Sequence, residues 1–172
     1  APASIRDSFT GCAGQRCMAA SVLLAVGDCD ALIKDTVAST AELKLGKNMG
    51  AIITAGQVGL LKEAVVRAER EGAKVLLDGK RSPSPTGVFE RGNWLAPVIL
   101  DGVKAGTHAA TTELFGPILT IIRCKDLSEA LAIERATPFG NATSVFTSQG
   151  GLAEEVVRQA SSGMVGINIG VP

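Results

Sequence analysis

Gly14-Gln15-Arg16-Cys17-Met18-Ala19-Ala20-Ser21-Val22-Leu23-Leu24-Ala25-Val26-Gly27 joins a thiol-bearing bend to an unbroken apolar run. A short apolar run without polar alternation, closed by a glycine, predicts a strand buried on both faces, as in a parallel sheet covered by helices. Upstream, residues 5–13 read as the last turns of a helix. Downstream, residues 30–43 place Ile33, Val37 and Ala41 at helical spacing. Thr54-Ala55-Gly56-Gln57 reads as a capping box that opens a helix carrying Val58, Leu61, Val65 and Ala68 on one stripe, with Gly72 as its stop. Residues 74–78 predict a short strand, 79–92 a Pro/Ser/Gly-bearing surface loop, and 94–100 another strand. The grammar then repeats. Strands are expected at 118–124, 142–147 and 164–169. One helix follows the cap Asp126-Leu127-Ser128-Glu129, with Leu127, Ala130 and Leu131 inward. Another spans 151–160, with Leu152, Val156, Val157 and Ala160 on adjoining faces. This alternation predicts an α/β fold, an open and mostly parallel sheet with flanking helices. No internal repeat, low-complexity segment or linker interrupts it, so residues 1–172 are expected to form a single domain.

Composition narrows the functional classes. The length of 172 residues suits one domain, and 46% hydrophobic residues suffice for a sizeable core. Aromatics make up only 3%, with Trp94 alone and no tyrosine, so that core must be aliphatic. Seventeen basic residues balance seventeen acidic ones, and no basic block marks a nucleic-acid footprint. The longest apolar stretches are strand-sized, well short of the roughly 18 residues of a membrane span. No basic segment followed by an apolar one opens the sequence, so no secretory signal is expected. Cys12, Cys17, Cys29 and Cys124 form no CxxC pair, and a chain with an ordinary apolar core needs no covalent staples. Reduced thiols in a cytoplasmic or mitochondrial-matrix protein are expected. His108 is the sole histidine and lies far in sequence from any cysteine pair, so no metal site is expected.

Two short strings carry chemistry. Gly14 permits a tight bend before Cys17, and a thiolate at an element boundary can attack a carbonyl carbon. The backbone N–H of Cys17 could then point at the resulting oxyanion. Arg16, next in sequence, could depress the thiol pKa or hold an acidic substrate. The residues alone equally allow a small cysteine packed at a helix–strand junction, since no nearby histidine offers a base. The second string is Glu113-Leu114-Phe115-Gly116-Pro117. Gly-Pro fixes a sharp backbone change, and a carboxylate there has lone pairs enough for two ribose hydroxyls. Phe115 offers an apolar face beside it. Here too the residues alone leave open an ordinary surface loop with a core-plugging Phe115.

Gly14-Gln15-Arg16-Cys17 matches the Gly-Gln-x-Cys pattern of the aldehyde dehydrogenase superfamily, and Glu113-Leu114-Phe115-Gly116-Pro117 matches its Glu-apolar-Phe-Gly-Pro string. The resemblance covers nearly the whole chain. It implies the superfamily's catalytic domain, a three-layer α/β/α arrangement. It implies that Cys17 is the catalytic nucleophile, that Glu113 binds the nicotinamide ribose of NAD, and that Phe115 lines the same site. Gly163-Met164-Val165-Gly166-Ile167-Asn168 is similar to the family's Gly-x-x-x-Ile/Val-Asn segment, which makes Asn168 a candidate near the substrate pocket. Asn141, in Pro138-Phe139-Gly140-Asn141-Ala142-Thr143, matches a family turn and reads equally well as a plain turn residue. The strings Gln15-Arg16-Cys17-Met18-Ala19 and Phe139-Gly140-Asn141-Ala142-Thr143 pull the resemblance towards the acylating branch that uses coenzyme A, the methylmalonate-semialdehyde dehydrogenases. A small-molecule aldehyde is the implied substrate.

There are departures. Thr112 stands where the family usually has a second acid. The loop Gly46-Lys47-Asn48-Met49-Gly50-Ala51 is shorter than its counterpart, and Gly170-Val171-Pro172 replaces a proline-rich stretch. No G-x-G-x-x-G loop occurs. In the family the dinucleotide-binding domain precedes the cysteine, together with the amide partner of the oxyanion hole and the general base of hydrolytic members. That domain and the oligomerisation tail are expected to lie outside this sequence. An exposed sheet edge then favours a homo-oligomer. The opposing expectation is a non-catalytic α/β module that self-associates or binds a partner.

Overall fold

The computed structural model describes residues 1–171; the predicted domain end at Pro172 lies outside them. The central strand explains the rest. β4 (Ile118–Cys124) has parallel neighbours on both sides, β1 (Val22–Val26) and β3 (Val98–Asp101). β2 (Lys74–Leu77) pairs antiparallel with β3, giving the order β1-β4-β3-β2. Side chains of β4 alternate between two apolar layers. Ile118 and Ile122 join Val98 and Leu100 on one face, while Leu119 and Ile121 join Ile99 and Ala25 on the other. Both faces are therefore dry, which is why β4 reads as an apolar run rather than an alternating one. Burying each such side chain stabilises the fold by about 1.5–3 kcal/mol.

Helices cover both faces. α3 (Ala55–Arg70) and the short α4 (His108–Thr111) pack on the first through Leu61, Val65, Ala68, Ala109 and Ala110, together with Ala130 of α5 (Leu127–Ala136). α1 (Pro2–Thr10) and α2 (Asp30–Ala41) pack on the second through Ile5, Phe9 and Ile33. The result is a mostly parallel sheet between helical layers. A separate two-stranded parallel sheet, β5 (Ala142–Val145) with β6 (Met164–Ile167), carries α6 (Gly150–Gln159) between its strands.

Four details depart from the sequence reading. The strand expected over 94–100 begins only at Val98, because Pro97 has no N–H to donate and Ala96 runs against the Gly79 backbone. A Cβ on Gly79 would sit 1.9 Å from the Ala96 carbonyl oxygen. In α2 the inward stripe is Ile33, Thr36 and Thr40, not Ala41. The two threonine hydroxyls tolerate burial by donating to Leu32 O and Thr36 O. In α6 the buried residues are Ala153 and Val156, whereas Leu152 and Val157 face outward. The Thr54 hydroxyl does accept from Gln57 N at 3.1 Å, but the Gln57 side chain does not return to close a capping box. It reaches a distant loop instead.

Candidate functional site

Helix α1 ends in a left-handed turn. Cys12, Ala13 and Gly14 have φ of 53°, 54° and 69°. Non-glycine residues in this region are strained, on the order of 1–2 kcal/mol each, and persist only where surroundings hold them. The surroundings here are specific. Gln15 is a two-way clamp, its Oε1 accepting from Ile53 N at 2.9 Å and its Nε2 donating to Ala51 O at 3.1 Å. The Arg16 guanidinium folds back over Gly11 and donates to Asp7 O and Ser8 O at 3.0 and 3.1 Å. It satisfies the last carbonyls of α1, a favourable place for a cation. Arg16 Nη2, offered on sequence to the thiol or to an acidic substrate, is thus directed at α1, while Nε is buried without a hydrogen-bond partner among the described residues.

Cys17 follows, exposed and unpaired, in an irregular turn closed by Ala19 N donating to Arg16 O at 3.0 Å. Its own carbonyl accepts from Asn141 Nδ2 at 2.8 Å, across 124 residues of sequence. Cys12 is exposed too, Cys29 half-buried, and Cys124 buried. Burial pushes the Cys124 thiol above its ordinary pKa, and the nearby Glu129 and Asp126 add to this.

The second string meets the first at two glycines. A Cβ on Gly14 would lie 2.2 Å from Gly116 O, so the two backbones touch only because Gly14 has none. Gly116 in turn packs on Leu61 of α3, whose side chain a Cβ there would meet at 2.4 Å. Gln57, from the first turn of α3, donates to Leu114 O at 2.7 Å and so fastens the loop from the other side. Phe115 sits between with φ 54°, the residue 41% exposed. A half-exposed phenylalanine in the left-handed region is an expensive placement that packing alone does not explain. Glu113 is exposed and lies on the rim of a groove of about 730 Å³ between α3 and α4. Gln57, Leu60, Arg67, Arg70 and His108 line the same groove. Thr112, at the position of the family's second acid, bonds its hydroxyl to His108 Nδ1 at 3.0 Å.

Asn168 is placed elsewhere. Its φ is 55°, and its amide spans Thr147, accepting from Thr147 N and donating to Thr147 O, both at 2.9 Å. It ties the end of β6 to the end of β5. The structure thus brings Gly14, three residues before Cys17, against the Glu113–Pro117 turn and places Asn141 beside Cys17, while Arg16 and Asn168 bind backbone. The sequence reading missed Gln57 and the Asn141 contact with Cys17. The first was hidden inside a good capping signal, and the second spans a distance no local pattern encodes.

A second, slightly smaller groove lies on the other side of Gln15, which bonds Ala51 in its wall. Gly46, Met49, Ala51, Phe89, Gly92 and Trp94 line a groove of about 620 Å³. Cys17 lines neither groove. Among the described residues, no cluster of three His, Cys, Asp or Glu could hold a metal ion, and no helix is long and apolar enough to cross a membrane.

The aldehyde dehydrogenase family model matches residues 1–172. A Drosophila melanogaster protein named as a probable acylating, mitochondrial methylmalonate-semialdehyde/malonate-semialdehyde dehydrogenase is 37% identical over 165 residues, covering 92% of this chain and 31% of its own. The crystal structure of methylmalonate-semialdehyde dehydrogenase from Oceanimonas doudoroffii superposes with a TM-score of 0.93 at 31% identity, over 99% of this chain and 36% of that one. A Thermus 1-pyrroline-5-carboxylate dehydrogenase with bound NAD gives 0.91 at 25% identity, over 99% and 33%. The chain spans about a third of the length of these relatives.

Proposed function

The chain belongs to the aldehyde dehydrogenase family, and from this premise we propose that it carries the nucleophile-bearing part of an acylating semialdehyde dehydrogenase dependent on NAD. The carrying observation is the contact of Gly14 with Gly116, which sets the Cys17 bend against the Glu113–Pro117 turn. In this reading Cys17 Sγ adds to the aldehyde carbon, forming a thiohemiacetal whose oxyanion faces the Cys17 backbone N–H. Loss of hydride from that carbon leaves a thioester on Cys17. The thiol of coenzyme A then takes the acyl group and restores the free cysteine. A methylmalonate- or malonate-semialdehyde substrate would also lose its carboxylate as carbon dioxide.

NAD, when bound, supplies the hydride acceptor. The residues present fit one end of it. Glu113 makes no ion pair among the described residues and keeps its oxygens available on an open groove wall. Its carboxylate would accept the ribose hydroxyls, and Phe115 would present its ring to the nicotinamide side. Gln57 holds the Leu114 carbonyl and so fixes both neighbours. Arg16 and Asn168 contribute by holding backbone. The remaining cofactor contacts are assigned to the two thirds of the relatives' length not represented here. The localisation proposed is the cytoplasm, or the mitochondrial matrix in a eukaryote, and the assembly proposed is a homo-oligomer.

The test is turnover of malonate semialdehyde with NAD and coenzyme A by the protein that carries these residues. NADH and an acyl thioester should form together, and C17S should abolish both. E113Q should slow the NADH burst, on the order of a hundredfold if the nicotinamide shifts by about 1 Å, with NAD affinity near parent. An active C17S variant would overturn the nucleophile, and an unchanged burst in E113Q would overturn the ribose contact. NADH formed without acyl transfer would overturn the acylating assignment.

A further inference from the structure

The reaction proposed above uses Cys17 but leaves unexplained how so irregular a turn aims its side chain. Two peptide planes flank the Cys17 Cα. The carbonyl of the preceding plane, Arg16 O, accepts from Ala19 N within the turn. The carbonyl of the following plane, Cys17 O, has Asn141 Nδ2 as its partner at 2.8 Å. With both planes held, the Cα–Cβ direction of Cys17 is set, because φ and ψ are the only soft torsions between them.

Asn141 is itself fastened. Gly163 N donates to Gly140 O at 2.8 Å, and Met164 N donates to Asn141 O at 3.2 Å. Gly163 lies close beneath, its hypothetical Cβ 3.5 Å from Asn141 O. The segment that supplies these donors is clasped by Glu134, from the last turn of α5. Its two carboxylate oxygens accept from Ser161 N at 3.1 Å, Ser161 Oγ at 3.0 Å, Ser162 Oγ at 2.8 Å and Thr143 Oγ1 at 3.3 Å. Hydrogen bonds and the short backbone segments between them therefore link Glu134, through Ser161–Met164 and Asn141, to the carbonyl of Cys17.

We propose that Asn141 is a positioning residue for the Cys17 nucleophile, holding the Cys17 carbonyl through its side-chain amide, with Glu134 as the distant anchor of that amide. The inference rests on the reading of Cys17 as the nucleophile. It goes beyond that reading by assigning a specific role to a residue that its local sequence leaves open as a plain turn residue. A carboxylate at this position could not do the same, because Cys17 O needs a donor and an ionised carboxylate only accepts.

Alkylation by limiting iodoacetamide, mapped peptide by peptide, tests this on the parent, N141A and N141D. Cys12 serves as an internal reference and buried Cys124 reports unfolding. In N141D a carboxylate replaces the donor, repels the Cys17 carbonyl and places negative charge beside the attacking thiolate. Cys17 alkylation relative to Cys12 should fall about fivefold in N141A, the worth of one lost hydrogen bond, and further in N141D, with Cys124 still protected. Equal Cys17 rates in all three proteins would overturn the inference and leave the nucleophile reading intact. A joint rise of Cys17 and Cys124 would overturn it too, since Asn141 would then act only on stability. A parent in which Cys12, Cys29 or Cys124 reacts faster than Cys17 would instead remove the nucleophile reading on which the inference stands.

Discussion

Gly14 illustrates how a single missing atom can assemble a site. The nearest backbone to its absent Cβ belongs to Gly116, which cannot swing aside as a side chain could. Gly27, by contrast, has φ of 70° and nothing within 4 Å of its hypothetical Cβ. The two positions separate steric from conformational cost. G27A should lose about 1 kcal/mol, the price of a left-handed alanine. G14A carries that strain together with a backbone collision and should lose more than about 2 kcal/mol, with turnover collapsing as the two loops part. Urea unfolding of both variants settles the matter. Similar losses would show that the Gly14–Gly116 approach relaxes easily and does not hold the site together.

At the scale of elements, the site is suspended between helix ends. The C-terminus of α1 is closed by Arg16, the N-terminus of α3 sends Gln57 to Leu114, and the last turn of α5 sends Glu134 to the approach of β6. Two carboxylates, Glu134 in this framework and Asp101 at the end of β3, are held below their ordinary pKa. For Asp101 the leading cause is the hydrogen-bonded Arg123 guanidinium, at 2.9 Å. For Glu134, burial pushes upward, and the hydrogen bonds from Ser161, Ser162 and Thr143 outweigh it. A depressed folded-state pKa contributes stability that is complete above the unfolded value. That contribution is lost as pH falls through the folded value. The unfolding free energy should therefore decline as pH drops below about 4. E134Q should be less stable than the parent at neutral pH, and the gap should close in acid, where the parent's carboxyl is protonated as well. Urea midpoints measured from neutral pH down to about pH 3 would show this convergence. A gap independent of pH would mean that the clasp does not depend on the carboxylate charge.

At the scale of the whole molecule, helices cover both faces of the four-stranded sheet, whereas the two-stranded one leaves large apolar side chains exposed. Leu152 and Val157 of α6, with Met164 and Ile167 of β6 and Ile169 just beyond, are 37–63% exposed. Among the described residues β6 pairs only with β5, so its other edge offers free backbone groups. Apolar patches beside an open edge favour association. The proposed homo-oligomer should depend on this face. V157E should lower the sedimentation coefficient of the 172-residue chain at a fixed concentration without lowering its melting temperature, since Val157 packs against little. Unchanged sedimentation would assign any self-association to another surface.

What the sequence determined was everything governed by local period and by short chemical strings. The run at 118–124 announced a strand dry on both faces, because a parallel strand between helical layers has no polar side to display. The run at 22–26 announced its strand too, but at the sheet edge β1 is only partly buried and Val26 is exposed. The 54–70 stretch announced its helix and its cap, and the two matching strings announced the family. Tertiary structure decided the rest. The close approach of Gly79 to Ala96, beside Pro97, confined β3 to the residues from Val98 on. Thr36 and Thr40 took core positions because an i−4 carbonyl was at hand to satisfy each hydroxyl. Gln57 left a plausible local bond for a carbonyl 57 residues away, and Asn141 found its partner across 124. Period and propensity act within a few residues, whereas the Gln57 and Asn141 contacts depend on which loops the packed layers bring together. Cys17 was therefore legible in the sequence as a nucleophile candidate, while what aims it was decided only by the fold.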